Sequence, residues 1–569
     1  MTVHTTGSKI AAITAIAFTY LLKFLLFRHL TELDACLSVR QSVCSIAVNI
    51  GAAFVMGALT VMPRRRWLGI ALMLLTDLWL LFNAIYFLAN RLLPDWQVIT
   101  LAPQLRGFES SLLAFLDWRL LLFPLLSVAG ALFMYAIKQI CGKPMLRVSI
   151  ATLACGVALQ FTGVLTNKAD AKGDEEKWSL RGDEQWFMKS HSPIGHAAYA
   201  MKNAIAEGVL RLKAVAPLTD EEERIMATAL GEPVEPAYPK GHLVFILVES
   251  LETWALEAVD VDGKPVCPNI TSYIAGHTLL YCPRMTSQQQ YGRSGDGQLI
   301  TQTGLLPLKH GVACIQYGGN VYPNLAHFYS DGVVINGYAH VWNQRVTTYS
   351  YGFKRLIEPR LPHQGSDRRV LEQTRQQLEN ADTATCVLAL TIDTHAPFGN
   401  GNNRLAIPDG YSKTEAAYLR CVSRLDSLLG DFLAWADTAQ TMRRATIVIT
   451  ADHNHFPRQD GKGLCPLIIN SPEITKNIRV GEAWQMDVFP TVLHAIGQQG
   501  YCWRGLGIDL IATFQPTQTA QGTTPTKRSA SDVNRISLRR NISPRAASDL
   551  SDKLIRSNYF KTSAIGSKE

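Results

Sequence analysis

The chain has no C-x-x-C pair among its eleven cysteines and no internal repeat. Its basic residues carry no nucleic-acid-binding signature. Four cysteines, Cys36, Cys44, Cys141 and Cys155, lie in or near the apolar N-terminal part, and the other seven are scattered. That scatter is neither a disulfide framework nor a thiolate metal motif. Buried free thiols are the expected state, with room for one or two bridges, Cys267–Cys282 among them, if the domain is exported. Up to about Thr166 the apolar residues occur in long uncharged runs, while the composition beyond it is that of an ordinary soluble protein. A chain of 569 residues divided in this way implies at least two domains. The net charge of +8 gathers beside the apolar runs and in the C-terminal tail, which suits an anionic membrane surface and not nucleic acid.

Five runs are long and apolar enough to span a bilayer: Ile10–Phe27, Val43–Met62, Leu68–Ala89, Leu120–Ile140 and Val148–Thr166. The first is followed by four more and lacks a small-residue cleavage site, so it reads as an anchor and not as a signal peptide. Arg64, Arg65 and Arg66 lie between the second and third runs, and Lys138, Lys143 and Arg147 around the link from fourth to fifth. The positive-inside rule makes both loops cytoplasmic and everything after the fifth run external. Lys23, near the end of the first run, is expected to snorkel. Asp77 stands mid-span in the third, where a carboxylate is either functional or paired with a neighbouring helix.

The domains expected are a five-helix anchor over 1–167, a connector over 168–241, an α/β domain over 242–513 and a basic, disordered tail over 514–569. In the connector, Trp178 and Trp186 suit a membrane interface, and His196–Leu212 has the spacing of a helix that lies along the bilayer or wraps the soluble domain. From His242 strands and helices alternate, the mark of an α/β sheet. Strands are expected at Leu243–Val248, Val333–Ile335, Val387–Ile392, Thr446–Thr450 and Leu467–Ile469. Helices are expected at Gly297–Leu306, Asp367–Leu378, Lys413–Ala434 and Met486–Ile496.

Open α/β sheets bind ligands at the carboxyl ends of their strands. Here those ends carry Glu249, then Asp393-Thr394-His395, then Asp452-His453-Asn454-His455, with His340 and Trp342 beyond Val333–Ile335. Glu249, Asp452 and His453 form an O/O/N donor set for a divalent cation, with Ser294 completing it. Ser294 stands in Tyr291-Gly292-Arg293-Ser294-Gly295-Asp296-Gly297 ahead of a helical run, so glycines and a helix N-terminus make an anion cradle around a hydroxyl. Coordination lowers the pKa of such a hydroxyl. Zinc suits the donor set, and manganese and magnesium tolerate it. Arg293 either clamps phosphate or faces solvent. His395 is placed to assist proton transfer, Asp393 to orient it or to stand behind the site, and His455 to act as a further ligand or a supporting group. A Ser-His-Asp hydrolase fits less well, because Gly292-Arg293-Ser294-Gly295-Asp296 breaks the G-x-S-x-G elbow at its fifth position.

These residues resemble the lipoteichoic acid synthase and phosphoglycerol transferase branch of the alkaline phosphatase (sulfatase-like) superfamily. The likeness rests on Val248-Glu249-Ser250, Gly292–Gly297, Thr394-His395-Ala396-Pro397-Phe398 and Thr450-Ala451-Asp452-His453. It continues through Asp487–His494 and Gly505–Leu510, in the family's order. The resemblance implies a helical membrane anchor carrying an extracytoplasmic alkaline phosphatase-like α/β domain. It implies a manganese or zinc site of Glu249, Ser294, Asp452 and His453, with Ser294 as nucleophile where many members have threonine, and His395 at the headgroup or phosphate. The implied reaction moves a phospholipid headgroup, phosphoglycerol first and phosphoethanolamine second, through a Ser294 intermediate. The donor is phosphatidylglycerol or phosphatidylethanolamine, and the acceptor a glycan or polymer hydroxyl outside the cytoplasmic (inner) membrane. A phosphodiesterase or other hydrolase of the superfamily is the further alternative. A formylglycine sulfatase is disfavoured, since no C/S-x-P-x-R context surrounds Ser294. The family's Trp-Asn-Arg headgroup motif appears as Trp342-Asn343-Gln344-Arg345, with the arginine displaced by one residue.

Overall fold

The computed structural model describes residues 2–31, 33, 39–63, 65–90, 93–94, 116–141, 146–170, 191–231, 238–359, 366–456, 461–514 and 543–562. Arg64, Lys143, Trp178 and Trp186 lie outside these. The chain divides into two compact units that part at Leu212/Lys213.

The N-terminal unit is a helical bundle. Four helices are long and apolar enough to cross a membrane: Ile10–Leu30, Val39–Val61, Arg66–Leu88 and Trp118–Ala136. The expected fifth span is a helix, Leu146–Asp170, but its described apolar part, Arg147–Thr162, is shorter than a crossing requires. It packs against the second helix at Gly51 and Gly156, where an added Cβ would meet the facing backbone carbonyl at 2.7 and 2.6 Å. Small residues of this kind let two membrane helices approach closely.

Lys23 does not snorkel. It is fully buried, and its Nζ donates to Asp77 Oδ1 at 2.6 Å and to Ser127 Oγ at 2.5 Å, while Ser127 Oγ donates to Asp77 Oδ2 at 2.5 Å. Asp77 is thus a structural partner that joins the first, third and fourth helices. The helix Pro193–Leu212 also belongs to this unit. It buries His196 and Ala200, with the His196 ring 6.2 Å from Trp79, and exposes Met201, Ile205 and Val209 at helical spacing.

The second unit is built on one nine-stranded sheet. Its strands are β1 (Leu243–Val248), β2 (Leu280–Thr286), β3 (Asp331–Asn336), β4 (Arg355–Ile357), β5 (Thr385–Leu390), β6 (Thr446–Ala451), β7 (Cys465–Asn470), β8 (Ile478–Arg479) and β9 (Ala483–Trp484). The order is β4-β3-β5-β1-β6-β7-β2-β8, with β9 also on β2. From β4 to β6 all pairs are parallel, and β7 is antiparallel to both β6 and β2. The strands β1, β5 and β6 are buried at every residue, as parallel strands covered on both faces must be. The helix Lys413–Thr438 opens with a capping box, in which Ser412 and Glu415 bond each other's backbone N–H.

The five strands expected from sequence are present with small shifts at their ends, and β2, β4, β8 and β9 are additional. Strand β2 contains Pro283 beside a bulge and an exposed Arg284, which obscures its pattern. Cys267 and Cys282 are buried free thiols. The expected disordered tail is corrected for residues 543–562: Pro544–Arg556 is a helix capped by Ser543, and Ala547, Leu550, Leu554 and Ile555 are buried along one face.

A lone buried charge, here the Lys23 ammonium left without Asp77, is far costlier than a pair or an apolar replacement of both partners. Asp77→Leu is therefore expected to destabilise the bundle by about 3–5 kcal/mol, with Lys23→Leu/Asp77→Leu recovering most of that loss. Thermal unfolding of the single and double variants in detergent measures it.

Candidate active site

Register builds the site. Strands β1 and β6 pair with Val248 opposite Ala451, so the next residues, Glu249 and Asp452, emerge side by side from the carboxyl ends of the two central parallel strands. The backbone then turns sharply. Ser250 has a positive φ of 51°, its N–H donates to Asp452 Oδ1 at 2.8 Å, and its Oγ donates to Glu249 Oε1 at 2.7 Å. Glu249, Asp452 and His453 are all buried and present ligand atoms within 4.8 Å of one another.

Ser294 arrives from a different element. It lies in the first turn of the helix Arg293–Thr303, with Oγ 3.2 Å from Glu249 Oε2 and 3.3 Å from His453 Nε2. Two glycines bring it there. A Cβ on Gly297 would stand 2.2 Å from the Asp452 carbonyl oxygen, so only glycine lets this helix rest on the β6 terminus. A Cβ on Gly292 would collide with the Asp296 carboxylate, which accepts from the N–H groups of Gln290 at 2.8 Å and Gly292 at 2.9 Å and so closes the turn before the helix. Arg293, buried with φ 43°, enters the helix in the left-handed region.

The electrostatics favour a cation. Burial raises the pKa of Glu249, and burial with the neighbouring Glu249 charge raises that of Asp452. The Nδ1 of His453 faces two oxygens, Ser250 Oγ and the Asn454 carbonyl, each at 3.2 Å. A proton on Nδ1 leaves the Nε2 lone pair aimed at Ser294, Glu249 and Asp452. Two buried carboxylates and an oriented imidazole fit a divalent cation of the zinc, manganese or magnesium type.

His395 follows β5, and the preceding Thr394 Oγ1 donates to the Glu249 carbonyl at 2.5 Å, which ties the two strand ends together. The His395 ring is half-buried, with Nδ1 2.6 Å from the Ala396 carbonyl oxygen. Burial lowers its pKa, and the Arg293 charge acts in the same direction. The Ala396 carbonyl and the Asp452 charge act the other way, and a proton on Nδ1 facing that carbonyl would leave Nε2 as the acceptor.

Other expected residues fall elsewhere. Asp393 does not orient His395: its carboxylate accepts from Ser366 N at 3.0 Å, Asp367 N at 3.3 Å and Asn400 Nδ2 at 3.3 Å, capping the helix Ser366–Glu379. The buried His455 ring packs edge-on against Phe398 and Phe456, outside the ligand cluster. Trp342 and Asn343 both adopt left-handed φ of 54°, and Trp342 backs Gly295, where an added Cβ would lie 3.4 Å from Trp342 Cβ. Arg345 points into solvent and makes a bidentate pair with Glu358 at 2.8 and 2.9 Å. The buried Gln344 bonds Asn336 and Thr348, so no bulge returns the arginine to the Trp-Asn position. His340 is exposed.

Several supporting residues were not foreseen. Glu252 is a buried carboxylate that accepts from the N–H groups of His455, Phe456 and Gly463 and from Trp254 Nε1, fixing the loop after β6. Tyr418 accepts from Glu252 N and donates to the Ser250 carbonyl, both at 2.8 Å. Ser250 was legible only as a hydroxyl beside Glu249; its contact with His453 comes from the turn.

Ser250→Ala removes a partner from Glu249 and from His453 at once. It is expected to weaken manganese or zinc binding by about 10–100-fold in isothermal titration, with little change in melting temperature. A second expectation concerns Asp367, whose pKa is pushed up to about 8 by burial and by the Asp393 charge. The native chain keeps this proton where the unfolded chain has lost it. The associated stability is full below about pH 4 and is lost as pH rises toward about 8. Melting temperatures measured from about pH 5 to pH 8 should fall for the native chain and fall less steeply in Asp367→Asn, the buried Asp296 and Glu252 supplying the rest.

Comparison with known proteins places this geometry. The sulfatase family model matches residues 313–498. The lipoteichoic acid synthase of Staphylococcus saprophyticus is 22% identical over 403 residues, covering 63% of this chain and 61% of that protein. Lipoteichoic acid synthase 1 of Bacillus subtilis is 20% identical over 308 residues, 48% of each chain. The chain thus spans less than two thirds of these relatives. Among solved structures, the integral membrane lipooligosaccharide phosphoethanolamine transferase A of Neisseria meningitidis superposes with a TM-score of 0.53 at 11% identity, over 86% of this chain and 96% of that one, a likeness of fold. With the ordered motifs and the sheet that carries them, these matches make the chain similar to lipoteichoic acid synthases in sequence, give it a sulfatase-like segment at 313–498, and liken its fold to that of a membrane-anchored transferase.

Proposed function

We propose that the chain is a membrane-anchored, metal-dependent phosphotransferase that carries a phospholipid headgroup on Ser294. The observation that supports this most is the convergence of Ser294 Oγ on Glu249 Oε2 and His453 Nε2, at the N-terminus of a helix seated on the β6 terminus through Gly297. The S. saprophyticus and B. subtilis relatives are named as lipoteichoic acid synthases, which makes phosphoglycerol from phosphatidylglycerol the first reading.

Glu249, Asp452, His453 and Ser294 would hold one manganese or zinc ion, with magnesium also compatible, and the bound charge lowers the pKa of the Ser294 hydroxyl. Ser294 Oγ attacks phosphorus as the bond to the diacylglycerol oxygen breaks. The serine proton passes to that leaving oxygen, with the unprotonated Nε2 of His395 as the carrier. In the second half the acceptor hydroxyl attacks phosphorus, the Ser294–phosphorus bond breaks, and the acceptor proton returns to Ser294. Arg293 and the helix N-terminus offset the charge of the phosphoryl oxygens, and Trp342 borders the headgroup. The acceptor is a glycan or polymer hydroxyl. The domain faces the outside of the cytoplasmic (inner) membrane, which requires the 25-residue helix Leu146–Asp170 to make a fifth crossing beyond the cytoplasmic arginines at 64–66.

Phosphoethanolamine is the second reading. It is favoured by Arg345, whose guanidinium is held by Glu358 on the surface, since an ammonium headgroup has no use for a nearby cation. Water in place of the acceptor would make the same site a phosphodiesterase.

Detergent-solubilised protein incubated with manganese or zinc and headgroup-labelled phosphatidylglycerol or phosphatidylethanolamine tests the proposal. Labelled covalent protein is expected from one lipid, absent in Ser294→Ala and after chelation. No label from either lipid would refute it, and steady release of free headgroup phosphate without acceptor would favour the hydrolase.

A further inference from the structure

The C-terminal segment 543–562 bears on the helix that carries Ser294. That helix ends at Thr303, so the peptide groups just beyond it need partners outside the helix. Ser551, fully buried, supplies two: its Oγ accepts from Leu306 N at 2.9 Å and donates to the Leu306 carbonyl at 2.7 Å. Asp552 Oδ1 accepts from Lys309 N at 3.2 Å, and Asp549 pairs with the Lys309 ammonium. Trp503 Nε1 donates to the Thr303 carbonyl at 2.7 Å, and the buried Phe560 ring meets the Trp503 ring edge-on at 5.0 Å.

The segment also grips the chain that passes behind the nucleophile. Asn320 Nδ2 donates to the Ile555 carbonyl at 2.6 Å, Val321 N donates to Asn558 Oδ1 at 3.0 Å, and Arg556 Nη1 donates to the Tyr317 hydroxyl at 3.2 Å. This stretch follows the short helix Ala313–Gln316. There the Cys314 sulfur stands 2.8 Å from where a Cβ on Gly295 would lie, and the Cys314 carbonyl accepts from Asn343 Nδ2 at 2.9 Å. Both ends of the support beneath Ser294 are therefore closed by one segment that joins the fold last in the chain. Lys553 further ties it to Glu222 at 2.6 Å and to the Pro217 carbonyl at 3.0 Å.

We propose that residues 543–562 are a positioning element for Ser294, docked non-covalently onto the two ends of its supporting structure and able to act when supplied as a separate peptide. The helix Pro544–Arg556, with Ala547, Leu550, Leu554 and Ile555 buried, packs against the helix Asp220–Ala229, and Ser551 and Asp552 set its register on Leu306 and Lys309. The effect on chemistry rests on Ser294 being the reacting residue, but the docking does not.

The test compares the full-length protein in detergent with a chain ending at Phe514, with and without a synthetic peptide of residues 543–562. Two readouts are taken: amide hydrogen exchange across 293–309 and the rate of Ser294 labelling. Truncation is expected to speed exchange there by about tenfold and to slow labelling by about tenfold at an unchanged half-saturating lipid concentration. The peptide should restore both, and a peptide carrying Leu550→Asp should restore neither. Exchange and labelling within about twofold of the intact chain, or a loss that the peptide does not restore, would overturn the proposal. If the shortened chain does not fold, Ser551→Ala in the intact chain decides: faster exchange at 303–309 supports the element, and unchanged exchange overturns it. If the intact chain takes no label from any lipid, the phosphotransferase reading falls while the exchange measurements still decide the docking.

Discussion

Two carboxylates buried against each other at the ends of adjacent parallel strands dominate this domain. Glu249 and Asp452 lie side by side because β1 and β6 are in register at Val248 and Ala451. Neither has water to solvate it, and each raises the cost of charging the other. The surrounding structure answers that problem. Ser250 turns back to bond both, His453 presents a lone pair, and the Ser294 helix is drawn in until Gly297 touches the Asp452 backbone. In the proposed reading a divalent cation would complete the arrangement electrostatically by offsetting the repulsion between the two carboxylates. Ser294, the proposed nucleophile, is thus held against the carboxylate pair and His453 and not in a separate Ser-His-Asp triad.

Much of this was legible in the sequence, for physical reasons that differ from element to element. The strands β1, β5 and β6 are unbroken apolar runs because both faces are covered, and each leads directly into polar groups, so strand ends and ligands could be read together. The glycines around Ser294 announced a close approach, although not that Asp452 was the backbone being approached. What could not be read was direction. Asp393 precedes His395 by two residues yet turns to cap the helix Ser366–Glu379, because Asp367 and Asp393 bond each other's backbone. Arg345 follows the Trp-Asn pair, but the two left-handed residues rotate the chain so that it meets Glu358 instead. Glu252 carries no motif at all, and its importance comes from four donors that converge on it from three separated stretches.

The remaining discrepancies share a cause: tertiary partners that no local pattern reveals. Lys23 has the composition of a snorkelling residue and is buried because Asp77 and Ser127 wait for it on two other helices. The tail after Thr513 is polar and basic on average, which hides the narrow apolar stripe of Pro544–Arg556. That stripe becomes a helix because it packs against the helix Asp220–Ala229, while Ser551 bonds Leu306 just past the Ser294 helix.

The central claim is that Glu249, Asp452, His453 and Ser294 hold a single divalent cation that organises the reaction. The most direct measurement is anomalous X-ray scattering from crystals of the full-length protein grown with manganese, with data at the manganese absorption edge. The account predicts one strong peak enclosed by these four side chains, within about 2.3 Å of their ligand atoms. A peak held by other residues, or saturating manganese with no peak between these four, would contradict it.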